Sequence, residues 1–223
     1  NNHMKDYLSV FYNDKKKPIT NYPSKFAQYN IDRFNLKNKI FLEIGCGRGD
    51  FINEFSKKEV ICYATDKLAS AKSNLSNDVV FSVHNITDEK LPYEDNFFDA
   101  IYTKSLIEHI PNHEHFFKEC KRVLKVKGIL ITYTPDWETQ YLNFYDDITH
   151  IKPFTKITLE NCYKMYGFEN CKVEKFYQLP FIWQFPFLKN ILKLVSFLIP
   201  LRSKIKLFRF AKELMLIGFA RKS

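Results

Sequence analysis

The chain has 223 residues, of which 45% are hydrophobic, 17% aromatic and 26% charged, a balance that excludes a disordered segment and suits one domain with elaborations. Its formal charge of +9 admits nucleic acid or an anionic membrane as partner, but the stretch Gln184 to Lys212 holds seven basic residues and no acidic one, so most of the excess is local. Five cysteines, odd in number and scattered, with no C-x-x-C pair and no secretory leader ahead of them, point to reduced thiols in a cytoplasm.

The opening NNHM reads as an appended stretch before a start at Met4, so His3 is set aside. A polar, aromatic-dotted N-terminal cap with Pro18 and Pro23 then runs to residue 37. Beyond it, short β-rich runs alternate with helical ones, the pattern of a parallel sheet covered by helices. Strands are expected at Ile40–Ile44, Val60–Thr65, Val79–Val83, Phe98–Thr103 and Ile129–Thr134. Helical segments are expected near Asp50–Lys57, Leu68–Leu75 and His113–Val126. Farther along, Thr155–Tyr166 reads as a helix opened by Thr155, Cys171–Gln178 as a strand, and Leu214–Ala220 as an apolar strand.

Only six glycines occur in the chain, yet Gly45, Gly47 and Gly49 fall together in EIGCGRGD, directly after the first strand. Glycines at a strand end let the backbone turn sharply and let a ligand approach where a Cβ would collide. A dinucleotide site wants G-x-G-x-x-G with the pyrophosphate at the helix N-terminus. Here the third glycine comes one residue early and Asp50 takes its place, putting negative charge where phosphates would sit.

The pattern E-x-G-x-G-x-G, followed by CYATD at the next strand's end, resembles the class I S-adenosylmethionine-dependent methyltransferases. The likeness continues through HNITDEKLPYEDNFFDAIY, SLIEHI, CKRVLKVKGILITYTP and DDITHIKPFT, in order, over roughly residues 38 to 180. It implies an α/β, Rossmann-like, doubly wound and mostly parallel seven-stranded sheet, with an antiparallel last strand at 213–223 and a helical insert at 181–212 before it, in a single domain of residues 1–223. It implies S-adenosylmethionine as cofactor, with Gly45, Gly47 and Gly49 lining it and Glu43 supporting the loop or the methionine amino group. Asp66 would grip the ribose hydroxyls, and Cys46, Lys67 and Ile86 would flank the site. Asn85 stands where the family normally supplies an adenine-contacting Asp; an amide both donates and accepts, so contact survives.

Methyl transfer from a sulfonium is an in-line displacement that needs mainly positioning. A hydroxyl acceptor gains from a base, and His109 and His150 fall in loops after the fourth and fifth strands, beyond whose carboxyl ends ligands bind. Either is a candidate general base, with Asp146 or Asp147 orienting the imidazole; a packing role for each histidine remains open. Glu108, His109 and His150 are also similar to the ligands of metal-dependent relatives, but Ser105 replaces a further acid there, so no metal is expected. Trp137, Tyr141, Phe144 and Tyr145 make an aromatic loop that either stacks on an acceptor, Trp137 and Tyr141 with Asp146 contacting it, or forms local core. Tyr7, Phe11 and Tyr12 either close over the cofactor or pack the N-terminal helix.

In the insert, Leu188, Ile191, Leu192, Val195, Leu198 and Ile199 recur at helical spacing opposite Lys189, Lys193 and Ser196. This amphipathic segment is too short to span a bilayer. It reads as a cover for the sheet or a dimer surface, or as a peripheral contact with an anionic inner membrane face through 185–210; nucleic acid fits its greasy character poorly. The functional expectation is a cytoplasmic enzyme that methylates a small-molecule hydroxyl, on a sugar or envelope-glycan precursor as in polysaccharide biosynthesis. The alternatives are N-methylation, a quinone or lipid precursor as acceptor, and a cofactor-binding regulator without turnover.

Overall fold

The structure, a computed structural model, describes residues 18, 20–196, 199, 203 and 205–223; Tyr7, Phe11, Tyr12 and Leu198 lie outside the described residues. The chain divides into two compact units, the first ending at Asn85 and the second spanning Ile86–Ser223.

In the first unit helix α1 is Tyr22–Phe34, in the N-terminal cap, where the sequence reading set no bounds for a helix. Pro23 looks like a helix breaker in the sequence, but it stands in the first turn, where its missing N–H costs nothing. Asn35 ends the helix in the left-handed conformation, its N–H reaching Ile31 O. Strand β1 is Ile40–Ile44, helix α2 Ile52–Ser56, strand β2 Ile61–Asp66, and strand β3 Val80–Val83. The expected helix at Leu68–Leu75 is a 3-10 segment, Ala69–Asn74. β1 pairs parallel with β2, Ile40 opposite Ile61, and β2 pairs parallel with β3.

In the second unit β4 is Phe98–Lys104, α3 His113–Val123 and β5 Leu124–Pro135. β5 begins five residues before the expected Ile129, because α3 stops at Val123 and the chain enters the strand at once through a bulge opposite Phe98 and Ala100. α4, Trp137–Gln140, follows. Then come α5, Lys156–Met165, opened by a Thr155–Thr158 capping box, and β6, Phe168–Phe176. The insert carries α6, Pro180–Gln184, α7, Leu188–Ser196, and α8, Lys206–Lys212, ahead of β7, Met215–Lys222. β4 and β5 are parallel, and β7 lies between β5 and β6, antiparallel to both. The fold is therefore the expected α/β, Rossmann-like one, with seven mostly parallel strands of which β7 is reversed.

Candidate functional site

In the first unit the turn after β1 is held by main-chain bonds: Gly45 N and Cys46 N both donate to Thr65 O, at 2.8 and 3.1 Å. Gly45, Gly47 and Gly49 adopt φ of 74°, 52° and 76°, a region costly for residues with a Cβ. At Gly49 an added Cβ would also lie 2.5 Å from Leu75 Cδ2. Asp66 closes the turn from β2. Its Oδ2 accepts from Gly47 N at 2.8 Å and its Oδ1 from Leu68 N at 2.9 Å. One amide on each oxygen leaves each with acceptor capacity, so the carboxylate can still take two hydroxyls.

Arg48 forms a two-point pair with Asp50, Nε to Oδ1 at 2.9 Å and Nη2 to Oδ2 at 2.8 Å. Asp50 is thus neutralised within the loop, and the electrostatic case against a pyrophosphate there is weaker than the sequence suggests. The negative charge that remains belongs to Asp66 and to Glu43, which is 3% exposed. Burial, then Glu43 and Asp66, push the Cys46 thiol well up, so it stays neutral and fills space. Lys67 is exposed, and Asn85 is half-buried after β3. Ile86, buried, belongs to the second unit.

In the second unit His109 ends the short turn Ile107–His109 after β4, and His150 lies in the loop after β5. Their rings are 4.7 Å apart. His150 Nδ1 is 2.6 Å from Phe144 O, and His109 Nδ1 is 3.1 Å from Thr149 O. A carbonyl oxygen only accepts, so Nδ1 of each ring carries the proton and Nε2 of the neutral ring carries the lone pair.

Asp147 meets the two rings differently. Asp147 Oδ2 is 4.0 Å from His150 Nε2 and does not touch its Nδ1, which the Phe144 carbonyl holds instead. Asp147 Oδ1 accepts from Thr149 N and Thr149 Oγ1, at 3.0 and 2.6 Å. With its proton given to Asp147, Thr149 Oγ1 accepts from His109 Nδ1 at 2.9 Å. Asp147 is therefore linked to His109 by hydrogen bonds through Thr149, a residue sequence reasoning passed over; its signal is the D-x-T turn inside DDITH. Asp146 is exposed at the end of the turn Phe144–Asp146.

Glu108 is fully buried, its Oε2 accepting from Thr134 Oγ1 at 2.9 Å and its Oε1 meeting no partner. Burial pushes its carboxyl up to about 7. Its main-chain oxygen accepts from Ile151 N and Lys152 N, at 2.8 and 3.1 Å, fastening the histidine loop to the turn. One donor atom each from Glu108, His109 and His150 lie within 4.8 Å of one another, a set that can hold a cation. The aromatic loop is partly core: Phe144 is buried, stacking near His150 at 4.4 Å and Trp137 at 5.5 Å. Tyr141 is 55% exposed and Trp137 half-buried.

Residues 42–132 match the family described as "Methyltransferase domain". That stretch matches a methyltransferase domain, and the fold around it is that of class I S-adenosylmethionine-dependent methyltransferases. Among curated proteins, the sequence is 28% identical over 122 residues to the sterol 4-C-methyltransferase strm-1 of Caenorhabditis elegans, covering 50% of this chain and 36% of that protein. It is 27% identical over 122 residues to the ubiquinone biosynthesis O-methyltransferase of Glaesserella parasuis serovar 5 (strain SH0165), covering 50% and 52%. The chain thus spans about a third to a half of the length of these relatives. Among solved structures, it resembles a SAM-dependent methyltransferase from Archaeoglobus fulgidus with a TM-score of 0.68 at 20% identity, covering 97% of this chain and all of that one. The cofactor of such a domain is S-adenosylmethionine. The loop fits it: three bare-backbone positions, a half-exposed carboxylate with acceptor capacity to spare, and no lysine or arginine left unpaired for a phosphate within Gly45–Asp50.

Proposed function

We propose that this domain transfers a methyl group from S-adenosylmethionine to a hydroxyl of a small molecule, a sugar or envelope-glycan precursor, with His150 or His109 as general base. The observation that carries the reading is the histidine pair, rings 4.7 Å apart, with both Nδ1 protons on main-chain carbonyls, which makes Nε2 the basic nitrogen of each neutral ring. Glu43, the backbone of Gly45 to Gly49, Asp66, Lys67, Asn85 and Ile86 would hold the cofactor, which supplies an electrophilic methyl on a sulfonium. Trp137, Tyr141 and Asp146 would meet the acceptor, an exposed aromatic suiting a sugar face.

Asp147 would stabilise the imidazolium of His109 through Thr149, and the Phe144 carbonyl would do so for His150. A methyl-donor assay over sugar, quinone, lipid-precursor and amine acceptors, with His109→Ala and His150→Ala, tests the reading. Turnover on hydroxyl acceptors that both variants lose is expected. Full turnover in both variants, turnover confined to amines, or cofactor binding without turnover on any panel would refute it.

The buried carboxyl of Glu108 favours a second reading. With Oε1 lacking a partner and one donor atom each of Glu108, His109 and His150 within 4.8 Å of one another, a divalent cation held there would polarise an acceptor hydroxyl directly.

A further inference from the structure

The insert between β6 and β7 has a small core of its own and a face that nothing in the described structure covers. Tyr177, Leu179, Ile182, Ile199, Ala211 and Leu214 are buried together, and Leu188 and Leu192 of α7 pack on them. At 100° per residue, Ile191, Leu194 and Val195 fall to one side of that contact, and Lys189 and Lys193 to the other. The apolar sector of α7 is thus wider than the core it sits on. Ile191 is 54%, Leu194 78% and Val195 43% exposed, and Phe187, Leu207 and Phe208 on the flanking segments are exposed as well.

Scattered exposed leucines are ordinary; this density on one short insert marks an interaction surface. Its charge selects the occupant. Lys189, Lys193 and Lys206 are exposed, and among the described residues none of them forms an ion pair. No acidic residue occurs from Gln184 to Lys212. A two-fold contact with a second copy would bring lysines against lysines with no acid to answer them. Nucleic acid would answer the lysines and leave aliphatic side chains in water. An anionic bilayer answers both, with phosphates for the lysines and the acyl boundary for the apolar flank.

We propose that this insert is a peripheral binding surface for anionic phospholipid bilayers, with α7 lying in the headgroup layer, Ile191, Leu194 and Val195 immersed, and Lys189, Lys193 and Lys206 on the phosphates. α7 has nine residues, and no described helix is long and apolar enough to cross a membrane, so the contact stays on one face. The inference is independent of which acceptor is methylated.

Co-sedimentation of the full chain with vesicles tests it, using pure phosphatidylcholine and a phosphatidylcholine–phosphatidylglycerol mixture at physiological and raised salt. Binding is expected to the mixture alone and to weaken with salt. Lys189→Glu/Lys193→Glu should lower partitioning about tenfold or more, since each basic side chain near such a surface contributes appreciably. Ile191→Ser/Leu194→Ser should lower it severalfold, with the melting temperature unchanged because both positions are exposed. Lys25→Glu/Lys127→Glu, equal in charge change but outside the insert, should bind as the parent does. Equal binding to neutral vesicles, no binding to anionic ones, or equal loss in the outside control would overturn the proposal. So would a dimer in sedimentation velocity that Ile191→Ser/Leu194→Ser dissociates while vesicle binding persists.

Discussion

Replacing Asp66 by Asn separates two accounts of how the loop and cofactor are joined. Were Asp66 only a ribose acceptor, Asn would keep one acceptor and lose modestly. The geometry predicts a larger effect, because both oxygens already hold main-chain amides, Gly47 N at 2.8 Å and Leu68 N at 2.9 Å. Asn has one oxygen, so its NH2 must face one of those N–H groups, donor against donor. An amide left without a partner costs about 1 to 3 kcal/mol of the loop's stability, and loss of the charged acceptor to a hydroxyl costs about 1.5 to 3 kcal/mol of binding. The binding share corresponds to roughly ten- to 150-fold weaker affinity. Calorimetry with S-adenosylhomocysteine reads this directly. Thermal unfolding without ligand reads the loop's share, because the Gly47 and Leu68 bonds are made in the free protein. Binding of Asp66→Asn within about threefold of the parent would refute the reasoning.

Gly49→Ala should destabilise the domain by about 1 to 2 kcal/mol from its left-handed φ alone, with Leu75 displaced by the new methyl; a melting temperature within error of the parent would contradict this. His113 is buried with Nε2 3.0 Å from Ile107 O, and desolvation, against that hydrogen bond, holds its pKa below 6.5. A folded-state value below the unfolded one means that its stabilising share is present above the unfolded value and is lost as pH falls through the folded one. His113→Gln should therefore flatten the fall of melting temperature between about pH 7 and pH 5. Thr149→Val removes the hydroxyl between Asp147 and His109 and should slow turnover severalfold while leaving cofactor affinity intact, as kinetics beside calorimetry will tell.

The sheet was legible because its strands are short apolar runs between polar segments; β1 begins and ends where the pattern places it. The misses have local causes. The bounds of α1 hid behind Pro23, whose position in the first turn, and not its presence, decides where a helix can start. The start of β5 hid in the last residues of the helix expected over His113–Val126, which stops at Val123, and Lys127 adopts φ of 65°. The glycine loop announced itself by composition, but its closure by Arg48 and Asp50 did not, since neither spacing nor residue type says which charges meet. The two histidines could be picked from sequence, whereas the groups that set their tautomers are carbonyls of Phe144 and Thr149, which every residue possesses. Thr149 became visible only once Asp147 and His109 were seen on either side of its hydroxyl.

The tied Nδ1 protons serve a general base and a cation ligand equally well, so structure alone assigns the lone pairs and chemistry must assign their use. The two uses differ in what competes for Nε2. A base is silenced by protons only, so the low-pH limb of kcat/KM stays fixed when divalent ion is added or chelated. A ligand set is contested by protons and metal together, so that limb moves to lower pH as ion concentration rises, and chelation removes turnover. Glu108→Gln sharpens the contrast. It keeps an oxygen for the Thr134 hydroxyl and removes the carboxylate charge, so a cation site should lose most of its ion response while a base pair keeps its rate. We expect the base behaviour, an unmoved limb with and without chelator and turnover preserved in Glu108→Gln. A limb that tracks ion concentration in the parent and stops doing so in Glu108→Gln would replace the base with a metal.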